Sequence, residues 1–152
     1  MEFNGKQMSL MELANGGDLS HFLVQRQKKQ RGISSSEVTE IFFQICNGVR
    51  YLHTHGIVHG DLAPQNILMN FEDGEVTVKV TDYFQNNKQR LMYSAPEVID
   101  GKSPTPQSDV WSLGVILYQL VTMKLPFEQV GAIFTQKPDL ENVRDSNQRK
   151  II

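Results

Sequence analysis

Between Ser108 and about Met123 the chain places Val110, Trp111, Leu113, Val115, Ile116, Leu117 and Leu120 in one run. At 3.6 residues per turn these side chains point to most sides of a helix, so such a helix has little surface it can leave in water. It is expected to be the buried central element, with Ser108 as its N-cap. The other elements must then pack around it.

The chain has 152 residues, enough for one domain with a single core. An apolar share of 39% and a charged share of 21% suit a globular protein. A formal net charge of −2 gives no electrostatic case for nucleic acid or an anionic membrane as the main partner. No apolar run is long enough to span a bilayer, and Met1 opens no secretory signal. Cys46 is the only cysteine, which leaves neither a disulfide framework nor a zinc site, and it is expected as a buried helix residue. The expected compartment is intracellular: cytoplasmic, with the nucleus left open.

Elsewhere the pattern resolves into short elements. Gln7 to Leu13 reads as a strand that ends at Asn15-Gly16-Gly17. Asp18-Leu19 opens a short helix reaching the polar run Gln25 to Arg31, expected as a loop. Ser34 and Glu37 have capping-box spacing, and Ile33 with Val38 can form a hydrophobic staple. Val38, Ile41, Phe42, Ile45, Val49 and Leu52 then recur at helical spacing, and Gly56 supplies the stop. Ile67-Leu68-Met69 and Val76 to Val80 flank Asp73-Gly74, which reads as a hairpin. A Pro-bearing turn at Ser94-Ala95-Pro96-Glu97 precedes a short helical piece. Residues 128–152 read as a polar C-terminal tail, expected to be poorly ordered.

Chemistry concentrates in His59-Gly60-Asp61-Leu62-Ala63-Pro64-Gln65-Asn66, where an Asp precedes an Asn by five residues. An Asp can accept a hydroxyl proton and an amide oxygen can hold a metal ion on phosphates, the pairing that phosphoryl transfer uses. The segment resembles the catalytic loop of eukaryotic protein kinases. Met11 to Leu19 resembles the hinge between kinase lobes, and Asp82-Tyr83-Phe84 sits where D-F-G belongs. Ala95-Pro96-Glu97 is A-P-E intact, and Asp109-Val110-Trp111-Ser112-Leu113-Gly114 resembles the start of the central large-lobe helix. The H-G-D-L-x-P-x-N loop is also similar to aminoglycoside- and choline-kinase-like enzymes. Those relatives lack A-P-E and the D-V-W-S-L-G signature, so the resemblance to protein kinases is the stronger.

The fold this resemblance implies is mainly α with a small β-hairpin, a partial kinase C-terminal lobe within the α+β kinase fold. It covers about residues 6–127, roughly from hinge to central helix. It leaves no room for the glycine-rich loop, strand lysine and helix glutamate of a small lobe. The implied cofactors are ATP and Mg²⁺, with weak binding expected from this chain alone. Asp61 is implied as catalytic base, or else as a brace for the loop. Asn66 and Asp82 are implied as Mg²⁺ ligands, or else as turn and cap residues. Backbone groups of Glu12 and Ala14 match positions that pair with adenine, and Asp18 matches the ribose contact. Leu68 matches the apolar floor under the base, expected to stack on Ile116 and Leu120. Asp109 is implied to hydrogen-bond the backbone near His59, itself expected as a packed structural histidine.

Several positions depart from the family pattern. Ala63 stands where serine/threonine kinases carry a phosphate-binding Lys, and Gln65 is not the Arg with which tyrosine kinases compensate. Gly60 replaces the Arg that receives an activation-loop phosphate, and no Ser, Thr or Tyr lies between Phe84 and Met92. Phe84 replaces the glycine of D-F-G, and Arg90 lies three before Tyr93, where a Thr is usual. The expectation is thus a catalytically impaired or incomplete kinase-like domain acting on protein. The alternatives are a non-catalytic pseudokinase module binding a kinase or scaffold, or a chain too short to fold stably.

Overall fold

The computed structural model describes residues 2–3, 6–7, 13–81, 88–141 and 143. Strands Glu2–Phe3 (β1) and Lys6–Gln7 (β2) pair antiparallel with Glu2 opposite Gln7. The strand expected from Gln7 is described only at that residue and at Leu13, which is irregular; residues 8–12 lie outside the described set.

Helix α1, Leu19–Lys28, starts at the N-cap Asp18, whose Oδ1 accepts the His21 N–H at 2.8 Å. The expected loop from Gln25 instead continues the helix as far as Lys28. Gln, Arg and Lys are good helix formers, and cations in the last turn face the negative end of the helix dipole. Arg26 also lies 4.8 Å above the Phe22 ring and pairs with Glu37. Burial pushes the Glu37 carboxyl up, but hydrogen bonds from Ser34 and Arg26 outweigh this and hold it below its ordinary value.

Helix α2, Ser35–Thr54, opens on the expected capping box. The Ser34 hydroxyl accepts the Glu37 N–H and the Glu37 carboxylate accepts the Ser34 N–H at 3.0 Å. Val38, Ile41, Ile45, Val49 and Leu52 form its buried stripe, while Phe42 is only partly buried. Cys46 is half-buried rather than buried, and burial raises its thiol pKa. After the C-cap His55, the Ile57 N–H returns to the Leu52 carbonyl at 2.9 Å across Gly56.

Strands Ile67–Glu72 (β3) and Glu75–Val80 (β4) form the expected hairpin in register from Ile67–Val80 to Glu72–Glu75. The turn residues Asp73 and Gly74 both have positive φ, as a tight two-residue turn requires. Gln44 on α2 pins the outer strand: its Nε2 donates to the Val76 carbonyl and its Oε1 accepts the Val78 N–H.

After the short helix Pro96–Ile99 (α3), the central helix α4 runs from Pro106 to Thr122. Its N-cap is Thr105, not Ser108. Proline suits the first helical position, where its missing N–H costs no bond, so the helix begins earlier than its apolar run. Ser108 closes the cap from inside, its Oγ accepting the Thr105 N–H at 2.9 Å. Val115, Ile116, Leu117 and Tyr118 are four consecutive buried residues, which means that this stretch is covered on all sides. Val110, one turn from the start, is 59% exposed, so the first turns are covered on one side only.

The main core joins Leu19 and Leu23 of α1, Ile41 and Ile45 of α2, Ile67 and Met69 of β3, and Ile116 and Leu120 of α4. A smaller one sets Phe127 and Ile133 against Trp111, whose ring stacks on Phe127 at 6.2 Å. Ile133 lies in helix α5, Ala132–Thr135, and Val143 is fully buried. Part of the stretch read as a polar tail is therefore packed: the Tyr118 hydroxyl donates to the Asp139 carbonyl at 2.7 Å. Among the described residues no helix is long and apolar enough to cross a membrane.

Candidate active site

The loop from His59 to Asn66 leaves α2 through Gly56 and enters β3 through a single 3-10 turn, Pro64–Asn66. A loop at that depth must find partners for its backbone polar groups, and α4 supplies them. Asp109 is 1% exposed and accepts the His59 N–H on Oδ2 and the Gly60 N–H on Oδ1, each at 2.9 Å. The His53 Nε2 lies 2.8 Å from the same Oδ2. The predicted bond from Asp109 to the His59 backbone is present, but the role of His53 was not anticipated. Its only sequence signal is a histidine in the last turn of the helix that leads to the loop.

His59 is buried and packed. Its Nε2 is 3.0 Å from the Thr81 carbonyl, which can only accept, so Nε2 carries the proton. Nδ1 is then free to accept the Asp61 N–H at 3.3 Å. Burial lowers the His59 pKa against the opposing pull of the Asp109 carboxylate. A neutral imidazole thus ties Asp61 to the end of β4.

Asp61 and Asn66 meet across the loop. The Asn66 Nδ2 donates to the Asp61 carbonyl at 2.8 Å and approaches its Oδ2 at 3.5 Å. With its nitrogen so engaged, the Asn66 amide turns its oxygen away from that bond. Thr81, whose N–H donates to the Asn66 carbonyl at 2.9 Å, brings the start of the next segment alongside. Asp82 itself lies outside the described residues, as does Glu12. Ala63 is fully buried within the loop and brings no cation.

A second feature lies along β3. The segment before α1 docks on this strand: the Gly16 N–H donates to the Met69 carbonyl at 2.9 Å, and the Met69 N–H to the Gly17 carbonyl at 2.8 Å. Asn15 completes the join, donating from Nδ2 to the Phe71 carbonyl and accepting the Phe71 N–H on Oδ1, both at 2.8 Å. Gly16 is required by close approach, because an added Cβ would lie 2.7 Å from the Met69 carbonyl oxygen. The sequence marks Asn15-Gly16-Gly17 only as a break. Its docking depends on partners more than fifty residues away.

Docking brings Ala14 and Leu68 to one groove of about 240 Å³, shared with Leu13, Asn70, Glu72, Thr77 and Lys79. Asp18 bridges to Leu68 through the backbone, and its carboxylate caps α1, accepting also the Ser20 hydroxyl at 2.6 Å. Leu68 does not stack on Ile116 and Leu120. Side chains alternate along a strand, so Ile67 and Met69 face that core and Leu68 faces the groove. Glu97 of the A-P-E motif forms no ion pair among the described residues.

The family described as the protein kinase domain matches residues 2–149. The chain belongs to the protein kinase family. It is 37% identical over 130 residues to the SNF1-related protein kinase catalytic subunit alpha KIN12 of Arabidopsis thaliana, covering 78% of this chain and 25% of that one. It is 37% identical over 136 residues to the serine/threonine-protein kinase ULK1 of Homo sapiens, at 78% and 13% coverage. It is 39% identical over 125 residues to the carbon catabolite-derepressing protein kinase of Saccharomyces cerevisiae, at 74% and 19%. The matches thus span a quarter or less of the relatives' lengths. Among the described residues, five α-helices and the antiparallel pair β3–β4 are consistent with a partial α+β kinase fold.

Proposed function

We propose that this chain carries the catalytic loop and a nucleotide-facing groove of an ATP-dependent serine/threonine-type protein phosphotransferase, and that its transfer rate is impaired. The observation behind this reading is the Asp61–Asn66 contact in a loop whose backbone is tied to buried Asp109. Asp61 accepts the proton of a protein hydroxyl, assistance worth about 10²–10⁴-fold in rate. Asn66, with Asp82, suits Mg²⁺, which takes oxygen ligands, and the bonded Asn66 nitrogen leaves the amide oxygen for that task. When bound, Mg²⁺ neutralises charge on the phosphates.

The groove offers apolar Leu13 and Leu68 to an adenine beside Ala14, and Asp18, bridged to Leu68 through the backbone, suits a ribose. Glu12 enters this reading only through its place in the family pattern. Impairment follows from Ala63: losing one preorganised stabiliser of a transferring phosphate lowers the rate about 10²–10³-fold. The protein is expected to work in the cytoplasm or nucleus on protein substrates. The test is phosphate transfer to a generic protein acceptor by the full chain and by Asp61→Ala. A slow transfer that vanishes in the variant supports the reading, and equal signals would sink it. Unfolding with Mg²⁺-ATP adds a binding readout, since a hundredfold excess over Kd stabilises by about 2.7 kcal/mol.

A second reading takes the groove as a surface for a kinase or scaffold partner, without catalysis. It draws on Leu13, which is 91% exposed beside Leu68. Co-purification of a kinase that is lost on Leu13→Asp would favour it, and a monomer throughout would count against it.

A further inference from the structure

Residue 60 has no side chain with which to set the loop, yet its backbone is the least ordinary in the site. Gly60 sits at φ +73, a left-handed conformation that side chains disfavour. A Cβ added there would lie 3.2 Å from both Cβ and Cγ of Pro104. Pro104 immediately precedes Thr105, the N-cap whose reciprocal bonds with Ser108 fix the start of α4. One turn further on, Asp109 takes the Gly60 N–H. The start of α4 therefore meets Gly60 twice, with a carboxylate on its N–H and a proline ring where its side chain would be. The next residue is Asp61.

We propose that Pro104 is a positioning residue for Asp61: its ring holds the left-handed turn at Gly60 and so sets the direction of Asp61. The catalytic meaning of this lock rests on Asp61 being the base, but its existence does not.

The test is NMR of the full chain, following the Asp61 amide and the His59 ring resonances. Pro104→Gly removes both atoms that flank the space beside the Gly60 Cα and should shift or split those signals while leaving the resonances of α2 in place. Pro104→Ala keeps Cβ and should shift them less, and it carries the test if the glycine variant loses its dispersion altogether. Gly60→Ala should displace the same signals strongly, and by a smaller amount when Pro104→Gly is already present. Signals that stay at their wild-type positions in the Pro104 variants, or fully additive shifts in the double variant, would overturn the proposal. Phosphate transfer measured in parallel separates the two ideas. Shifts without any wild-type transfer would remove Asp61 as base and keep the lock; transfer without shifts would do the reverse.

Discussion

The two halves of the site are held in opposite ways. The loop bearing Asp61 and Asn66 is fastened from beneath by buried Asp109, His59 and Asn66. The groove at Ala14 and Leu68 rests on a strand edge and is bordered by Leu13, which is almost wholly exposed. The loop that bears the proposed base is thus tied into the core, while the groove proposed for nucleotide is a surface attached to it. A change in the loop should cost stability, and a change on the groove should cost mainly binding.

Asp109→Ala is the strongest way to break this contrast. It leaves two backbone N–H groups without their acceptor, each worth ~1–3 kcal/mol when buried. Urea unfolding should show a loss of about 3 kcal/mol, and a loss under 1 kcal/mol would mean that the loop is not anchored there. Gly16→Ala should come next, since the Met69 carbonyl it would crowd is already held by the Gly16 N–H. About 1–3 kcal/mol is expected in the same assay.

The pH dependence sharpens the comparison further. Burial lowers the folded pKa of His59 below its ordinary 6.5, so in the window between the folded and ordinary values the unfolded chain binds more protons. Its contribution to stability is complete above pH 6.5 and is lost as pH falls through the folded value. His59→Gln should flatten that part of the stability–pH curve, and an unchanged acid slope would contradict the assignment. The smallest effect belongs to the groove. Leu13→Ser should change stability by no more than about 0.5 kcal/mol while weakening Mg²⁺-ATP binding in titration.

Much of this was legible in the sequence where the cause is local. The capping box at Ser34 and Glu37, the turn at Asp73-Gly74 and the stripe from Val38 to Leu52 are set by neighbours within one or two turns. Asp109 was legible only through the family resemblance, because its partners are about fifty residues away. Local signals misled where two competed. Ser108 is a good cap residue, but Thr105 followed by Pro106 is a better start, and Ser108 serves inside the box. The polar run from Gln25 carries helix formers whose Arg26 has distant partners, so it stays helical to Lys28. Leu68 was expected to stack on Ile116 and Leu120, but those partners fall to Ile67 and Met69, because identity alone does not say which phase of the strand meets the core. Asn15, which mimics a strand partner for Phe71, gave no signal at all.

Amide hydrogen exchange on the nucleotide-free chain tests the central claim most directly. The account predicts that the His59 and Gly60 N–H groups exchange as slowly as that of Ile116 in the buried part of α4, while that of Leu13 exchanges fast. If His59 and Gly60 exchanged as fast as Leu13, the loop bearing Asp61 would not be held by the core, and the account would be wrong.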